Sequence, residues 1–298
     1  MCGIVGLFLK NPSLEPRLGG LVAPMLETMT DRGPDSAGFA IYGAAEPGRV
    51  KLTLRIEGGT GASQRVVAGL ETALGLPVAT VARDTHLVVS LPESAVDAAR
   101  AWLAAHERVR TIGAGRRMEL YKGVGAPAAV SRRFELAAMG GTHAIGHTRM
   151  ATESAVTTDG AHPYSTGLDQ CLVHNGSLSN HNAVRRALAR EGFGFATEND
   201  TEVAAGYLSW RMREGATLRE ALAASLADLD GFYTFVVGTE DGFAVLRDPI
   251  ACKPAVMAET EDYVAFGSEY RVLAGLPGIR NARVFEPEPA TVYAWERA

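Results

Sequence analysis

Met1-Cys2-Gly3-Ile4-Val5-Gly6-Leu7-Phe8-Leu9-Lys10 opens the chain, and from Gly3 to Leu9 it carries no polar side chain. A short run of Ile, Val, Leu and Phe of this length reads as a strand buried in the core. It is too short for a membrane span, which needs about 18 apolar residues. It also lacks the basic start and the small-residue cleavage site of a secretory signal. The fold is therefore expected to begin with a buried strand, with Cys2 at its entrance.

Outward from this strand, Leu18, Leu21, Val22, Met25, Leu26 and Met29 recur at helical spacing, so an amphipathic helix follows. It stops at the loop Asp31-Arg32-Gly33-Pro34-Asp35-Ser36-Ala37-Gly38, where Gly and Pro together break a helix. Strands are predicted over 37–42 and 49–55. Gly58-Gly59-Thr60-Gly61 then marks a change of texture. The region 57–115 reads as a small inserted α+β subdomain, in the order helix, strand, strand, helix, strand, within a domain spanning 2–298. It shows no catalytic constellation, and its His86 and His106 read as surface or half-buried histidines. Further strands are predicted over 144–148, 170–174, 233–238, 243–246, 255–258 and 263–267, and helices over 179–191, 201–212 and 217–229. Thr217 and Glu220 stand at capping-box spacing at the start of the last helix. Short strands returning through turns such as Glu240-Asp241-Gly242 suit antiparallel sheets covered by helices rather than a parallel sheet. The fold class is α+β. Neither a dinucleotide-binding nor a Walker-type glycine loop is present.

The 298 residues hold 29 Lys+Arg against 34 Asp+Glu, a formal charge of −5. No basic cluster of the kind a nucleic-acid binder needs accompanies it. Apolar residues at 47% and charged residues at 21% supply ample core for a globular chain and exclude disorder. Cys2, Cys171 and Cys252 are odd in number and lack CxxC spacing. Neither a disulfide framework nor a metal site is expected, and the chain reads as cytoplasmic with reduced thiols.

Four places could carry chemistry. Cys2 could be no more than a small hydrophobe at a strand end. The small residue at position 2 permits removal of Met1, however, and that would place a terminal amine, basic near neutrality, on the residue that owns the thiol. Arg149, in Gly146-His147-Thr148-Arg149-Met150-Ala151-Thr152, offers a fork for a carboxylate or a plain surface salt bridge. His147 could pair with Cys2 as a dyad, although an internal strand histidine is more often structural. In Val173-His174-Asn175-Gly176-Ser177-Leu178-Ser179-Asn180, the Asn175 amide and the Gly176 N–H could hold an oxyanion, or form only an Asn-Gly turn. In Thr197-Glu198-Asn199-Asp200-Thr201-Glu202, Asp200 could fix an ammonium group or merely cap a helix.

Taken together and in this order, MCGIVG, DRGPDSAG, GHTRMAT, AHPY, VHNGSLSN and TENDTEV resemble the class II glutamine amidotransferases, the N-terminal-nucleophile glutaminases. The stretch Arg247–Pro254, Phe266-Gly267-Ser268-Glu269 and Lys122-Gly123-Val124-Gly125 look like the purine-pathway branch of that family. The resemblance covers nearly the whole chain outside the insertion. It implies an αββα sandwich of two antiparallel sheets between helical layers. It implies Cys2 as nucleophile with its own amine as base, Asn175 and Gly176 as oxyanion hole, and Arg149 and Asp200 on the α-carboxylate and α-ammonium of L-glutamine. Thr152 falls where the family also contacts substrate, and Arg32 would brace its loop against the nucleophile end. Met150 and Glu153-Ser154 depart from the family pattern, as does Ala251-Cys252-Lys253.

The family normally delivers ammonia to a fused synthase. Here the chain ends soon after Ser268-Glu269, so a separate synthase subunit in a hetero-oligomer is expected, with no cofactor in this chain. The split glutamate-synthase-like and N-methylglutamate synthase systems are the similar case, with FMN and iron–sulfur groups on a flavoprotein partner. The alternative is a catalytically silent member that binds glutamine or glutamate and scaffolds its partners. No nucleic-acid or membrane partner is expected.

Overall fold

The computed structural model describes residues 2–151 and 155–297. In chain order the strands begin with β1 (Gly3–Leu9), β2 (Ser36–Tyr42), β3 (Arg49–Ile56), β4 (Ala79–Arg83) and β5 (His86–Pro92). They continue with β6 (Val109–Gly115), β7 (Met118–Val124), β8 (His143–Arg149), β9 (Cys171–Leu178) and β10 (Gly231–Gly238). The last are β11 (Gly242–Arg247), β12 (Val256–Glu259), β13 (Tyr263–Gly267), β14 (Arg283–Phe285) and β15 (Val292–Glu296). The helices are α1 (Leu18–Thr28), α2 (Thr60–Leu74), α3 (Val96–Ala104), α4 (Pro127–Arg133), α5 (His181–Arg190), α6 (Asp200–Arg213) and α7 (Leu218–Asp228).

The first strand is buried along its whole length and lies in the middle of a seven-stranded antiparallel sheet ordered β14-β12-β13-β1-β8-β2-β7. Its alternate residues explain why the run is continuously apolar. Val5, Leu7 and Leu9 face α1, where they meet Val22, Met25 and Leu26. Ile4 and Phe8 face the other way, against Val236, Phe243 and Val245 of a second sheet ordered β15-β11-β10-β9. A strand with both faces covered has no place for the polar alternation of a half-exposed one. Gly6 sits where the two sheets come closest, since a Cβ there would stand 2.7 Å from the Phe243 ring. The outer face of the second sheet is covered by α6 and α7, through Val203, Leu208, Leu218 and Leu222 against Leu172, Phe235 and Leu246. The layers are thus helix, sheet, sheet, helix, the expected αββα sandwich.

A third sheet, ordered β4-β5-β3-β6, has its own core of Leu52, Leu54, Leu70, Val89, Leu91 and Leu103 under α2 and α3. Although β3 precedes the Gly58-Gly59 break, it pairs with β5 and β6 rather than with the main sheets. The alternation of 49–55 announces a two-faced strand, and its partners arrive only with the residues after the break. The β10–β11 hairpin turns at Glu240-Asp241-Gly242 as expected, closed by Thr239 N–H donating to the Gly242 carbonyl at 2.8 Å. The strand predicted over 170–174 runs further, to Leu178, so Asn175 and Gly176 lie inside β9 opposite Thr234 and Tyr233 and not in a turn. Strand β7 and helix α4, with Pro127 at its first turn, are elements that the sequence patterns do not announce.

Candidate active site

Antiparallel register gathers the expected residues at one end of the sandwich. Where β1 begins at Gly3 it faces Thr148, one residue before the end of β8 at Arg149, and Ser36 at the start of β2 pairs with Arg149. Cys2 projects from this end and is half-buried. Its carbonyl accepts two hydrogen bonds, from Arg32 Nε at 3.1 Å and from Asn175 Nδ2 at 3.2 Å. Arg32 stands just before β2 of the seven-stranded sheet and Asn175 on β9 of the other, so the nucleophile candidate is tied to both layers.

The Arg32–Asp35 loop fits here because Gly33 has no side chain. A Cβ at Gly33 would collide with the backbone of Thr148 and Arg149. Asp35 then accepts from the Ala151 N–H at 2.8 Å, while its own N–H donates to the Arg149 carbonyl at 3.1 Å. Arg32 continues to Glu269, with Nη1 donating to Oε1 at 2.8 Å, and this guanidinium holds the Glu269 carboxyl below its usual range. Ser268, next to it, accepts from the Ile4 N–H at 2.9 Å.

Asn175 is buried on β9 and turns its amide to Cys2. Gly176 follows with φ +151°, and a Cβ there would collide with the Phe232 carbonyl oxygen on β10. Two residues on, the Leu178 N–H donates to Asp200 Oδ2 at 2.9 Å. Asp200 is the first residue of α6, behind the Asn199 cap that accepts from the Thr201 N–H at 2.8 Å. Burial pushes the Asp200 carboxyl up, but His174, with Nδ1 3.7 Å from Oδ1, and the Leu178 N–H outweigh it and keep the group ionised below its ordinary value. Arg149 is buried at the end of β8. Thr152 and Glu153-Ser154 lie outside the described residues.

Three histidines that the motifs contain, but whose contacts the sequence did not reveal, underlie this end. His147 stacks on His162 with ring centroids 4.1 Å apart, and its Nε2 meets the His174 carbonyl at 3.1 Å. The Thr201 hydroxyl lies between His162 Nε2 at 2.7 Å and His174 Nδ1 at 3.1 Å. Having one proton, it donates to one ring and accepts from the other. Burial lowers the pKa of His147 to about 3 and that of His162 well below the usual value. His147 is therefore a neutral internal side chain paired opposite Ile4, as the structural alternative to a Cys2 dyad has it. Its pairing with Cys2 has no hydrogen bond to stand on among those the described residues make. The signal that could have found the cluster is the occurrence of one histidine in each of GHTRM, AHPY and VHNG.

Among the described residues no group of three or more His, Cys, Asp or Glu is arranged to hold a metal ion, and no helix is long and apolar enough to cross a membrane.

Residues 147–275 match the family model of a glutamine amidotransferase domain. The chain is 60% identical, over 99% of its length and 98% of the relative's, to the glutamine amidotransferase-like protein GlxB of Rhizobium meliloti. It is 32% identical to a putative glutamine amidotransferase of Methanothermobacter thermautotrophicus, over 98% of this chain and 99% of that one. Among solved structures, the glutamine phosphoribosylpyrophosphate amidotransferase of B. subtilis superposes with a TM-score of 0.61 at 19% identity, a likeness of fold. The superposition covers 99% of this chain and 49% of that one, so this chain spans about half of that protein's length.

Proposed function

We propose, from the premise that this chain belongs to the class II glutamine amidotransferases, that Cys2 becomes its N-terminal residue and hydrolyses the side-chain amide of L-glutamine. The observation that supports this reading is the Cys2 carbonyl held by Arg32 and by Asn175 of β9, the strand whose Leu178 N–H binds Asp200, while Gly3 pairs with Thr148, the neighbour of Arg149 on β8. The α-amine takes the thiol proton, and the thiolate attacks the amide carbon. Asn175 Nδ2 and the Gly176 N–H stabilise the resulting oxyanion. The protonated amine returns its proton to the leaving nitrogen, ammonia departs, and a thioester remains. Water, losing a proton to the same amine, attacks the thioester and releases glutamate and the thiol. Arg149 takes the α-carboxylate through its planar fork, and ionised Asp200 takes the α-ammonium. Thr152 adds a substrate contact, and Arg32 fixes the Cys2 carbonyl from behind.

The ammonia passes to a separate synthase subunit, with this chain as the glutaminase of a cytoplasmic hetero-oligomer. The 98% and 99% spans of the two curated relatives support a chain of this size as a recurring unit. The split glutamate-synthase-like and N-methylglutamate synthase systems are the arrangement proposed, with FMN and iron–sulfur groups on the partner.

The test has three parts. Mass spectrometry of the purified chain is expected to find Met1 removed. Glutamate release is expected from the wild type and not from Cys2→Ala, whereas equal release from both would sink the catalytic reading and leave a silent glutamine binder. Affinity purification of the intact complex is expected to bring down a protein with a flavin absorption spectrum, and a colourless partner would overturn the proposed system.

A further inference from the structure

The small third sheet reaches the glutamine end of the molecule through one carboxylate, Asp159. Arg55 of β3 donates from Nη1 to Asp159 Oδ1 at 2.9 Å, and Arg110 of β6 holds its Nε 3.4 Å from Oδ2. The Asp159 and Arg55 side chains are 28% and 19% exposed, so the pair is more shielded than an ordinary surface ion pair. Asp159 and Arg110 line a cavity of about 130 Å³ together with Lys122, Tyr164 and Glu202.

The segment that follows Asp159 is gripped from the inside as well. The buried Lys122 ammonium of β7 donates to the carbonyls of Asp159 at 3.2 Å, Ala161 at 2.8 Å and Pro163 at 3.3 Å. It also lies 4.3 Å from the centre of the Tyr164 ring, whose hydroxyl donates to the Asp159 carbonyl at 3.1 Å. A single charge collecting three main-chain carbonyls fixes the shape of residues 159–163 as a strap.

That strap touches Arg149 at one ionic end of the candidate site and the neighbour of Asp200 at the other. Gly160 backs onto Arg149, since a Cβ there would lie 3.2 Å from Nη1. His162 stacks on His147, two residues before Arg149 on β8, and meets the hydroxyl of Thr201, the residue after Asp200. A displacement of the strap therefore reaches the guanidinium and the first turn of α6 together.

We propose that Asp159 is a positioning residue for glutamine, and that the third sheet, through Arg55 and Arg110, holds the strap that aims Arg149 and Asp200 at the amino-acid end of the substrate. The inference rests on the assignment of Arg149 and Asp200 to the α-carboxylate and α-ammonium. Paired hydrogen bonds to a carboxylate need a fixed guanidinium plane, so a loosened Arg149 loses affinity while the reacting atoms at Cys2 stay in place.

Steady-state glutamine hydrolysis by the full-length chain tests this. Asp159→Ala and Arg55→Met are each expected to raise KM for glutamine about tenfold, the effect of one charge-assisted hydrogen bond, with kcat changed less than about twofold. Asp159→Glu, which keeps the charge, should recover most of the loss. Arg149→Lys should raise KM by itself, and Arg149→Lys with Asp159→Ala should raise it by less than the product of the two single effects, because the two share one guanidinium and only the part that passes through Asp200 remains. General loosening of the fold would instead lower kcat, as a smaller active fraction, at unchanged KM. That outcome, an unchanged KM in both single variants, or an additive double variant overturns the proposal. Should Asp159→Ala not fold, Arg55→Met, which leaves the strap's own sequence intact, decides alone. Failure of the underlying assignment looks different: Arg149→Lys would then leave KM unchanged.

Discussion

Asn175 and Gly176 are neighbours on β9 with separable duties, and substituting each should fail differently. Asn175 loses one amide that donates to the Cys2 carbonyl at 3.2 Å when changed to Ala. The fold should feel this as about 1 kcal/mol, whereas glutamate release should drop about 10²–10³-fold if the amide also meets the oxyanion. Gly176→Ala puts a Cβ into the Phe232 carbonyl at a φ that L side chains rarely adopt. It should cost more than about 3 kcal/mol, read as a large fall in the urea midpoint. Equal midpoints for the two variants would contradict this division. The sequence shows the pair but not its setting. Asn-Gly advertises backbone freedom, and only the pairing with Thr234 and Tyr233, far along the chain, turns it into a strand interior. The same limit applied to His162 and His174, which share the Thr201 hydroxyl across 12 residues of chain. Cys2, Arg149 and Asp200 stand out in the sequence because MCGIVG, GHTRMAT and TENDTEV occur together and in this order, not because any one of the three is a strong signal alone. What they touch does not stand out, and for Thr152 that question lies outside the described residues.

Elements whose signals are local were read closely from the sequence. Helix α7 starts with Thr217, whose hydroxyl accepts from the Glu220 N–H at 3.2 Å, while the Glu220 carboxylate accepts from the Thr217 N–H at 2.8 Å. Both halves of the capping box are formed. Thr217→Ala should destabilise the protein by about 1 kcal/mol. It should leave glutamine turnover unchanged, because α7 lies on the outer helical layer and carries none of the residues assigned to glutamine. A wild-type urea midpoint, or a parallel loss of activity, would contradict that view of the helix. Pairing choices are the opposite case. The alternation of Val50, Leu52 and Leu54 on β3 fixes two faces but says nothing about which sheet receives them. Partners β5 and β6 are set by the core that Leu52 and Leu54 share with Leu70, Val89 and Leu103, contacts invisible to a window of ten residues. Helix α4 spans only seven residues, Pro127–Arg133, too few turns for a periodicity to register in the sequence.

At the scale of the whole molecule, the layered packing traps four neutral imidazoles, and this sets how the protein answers acid. His143 stacks on Tyr42 at 3.9 Å and meets the Thr239 carbonyl at 2.9 Å, while His86 lies edge-on to Phe134 at 4.6 Å. Burial lowers the pKa of His86, His143 and His147 to about 3 each and that of His162 well below its usual value. In the unfolded chain each would take up a proton near pH 6.5. Between that value and about 3 the unfolded state therefore binds more protons than the folded one, and stability falls as pH is lowered. The stabilisation is complete above pH 6.5 and declines by up to about 1.4 kcal/mol per pH unit for each such group. Asp200, Glu259 and Glu269, whose carboxyls lie below their ordinary values, add their own loss only at lower pH, beneath the unfolded carboxylate range of about 4. The window from pH 6.5 to 5 belongs to the histidines. Unfolding free energies from urea titrations should fall only slightly from pH 8 to 7, where buried Lys122, lowered to about 8, still contributes, and then drop by several kcal/mol by pH 5. His86→Gln, in the third sheet and away from Cys2, should flatten that slope by about one proton's worth. A stability that stays level down to pH 5, or a slope that His86→Gln leaves untouched, would mean that these rings already share their protons with solvent in the folded state.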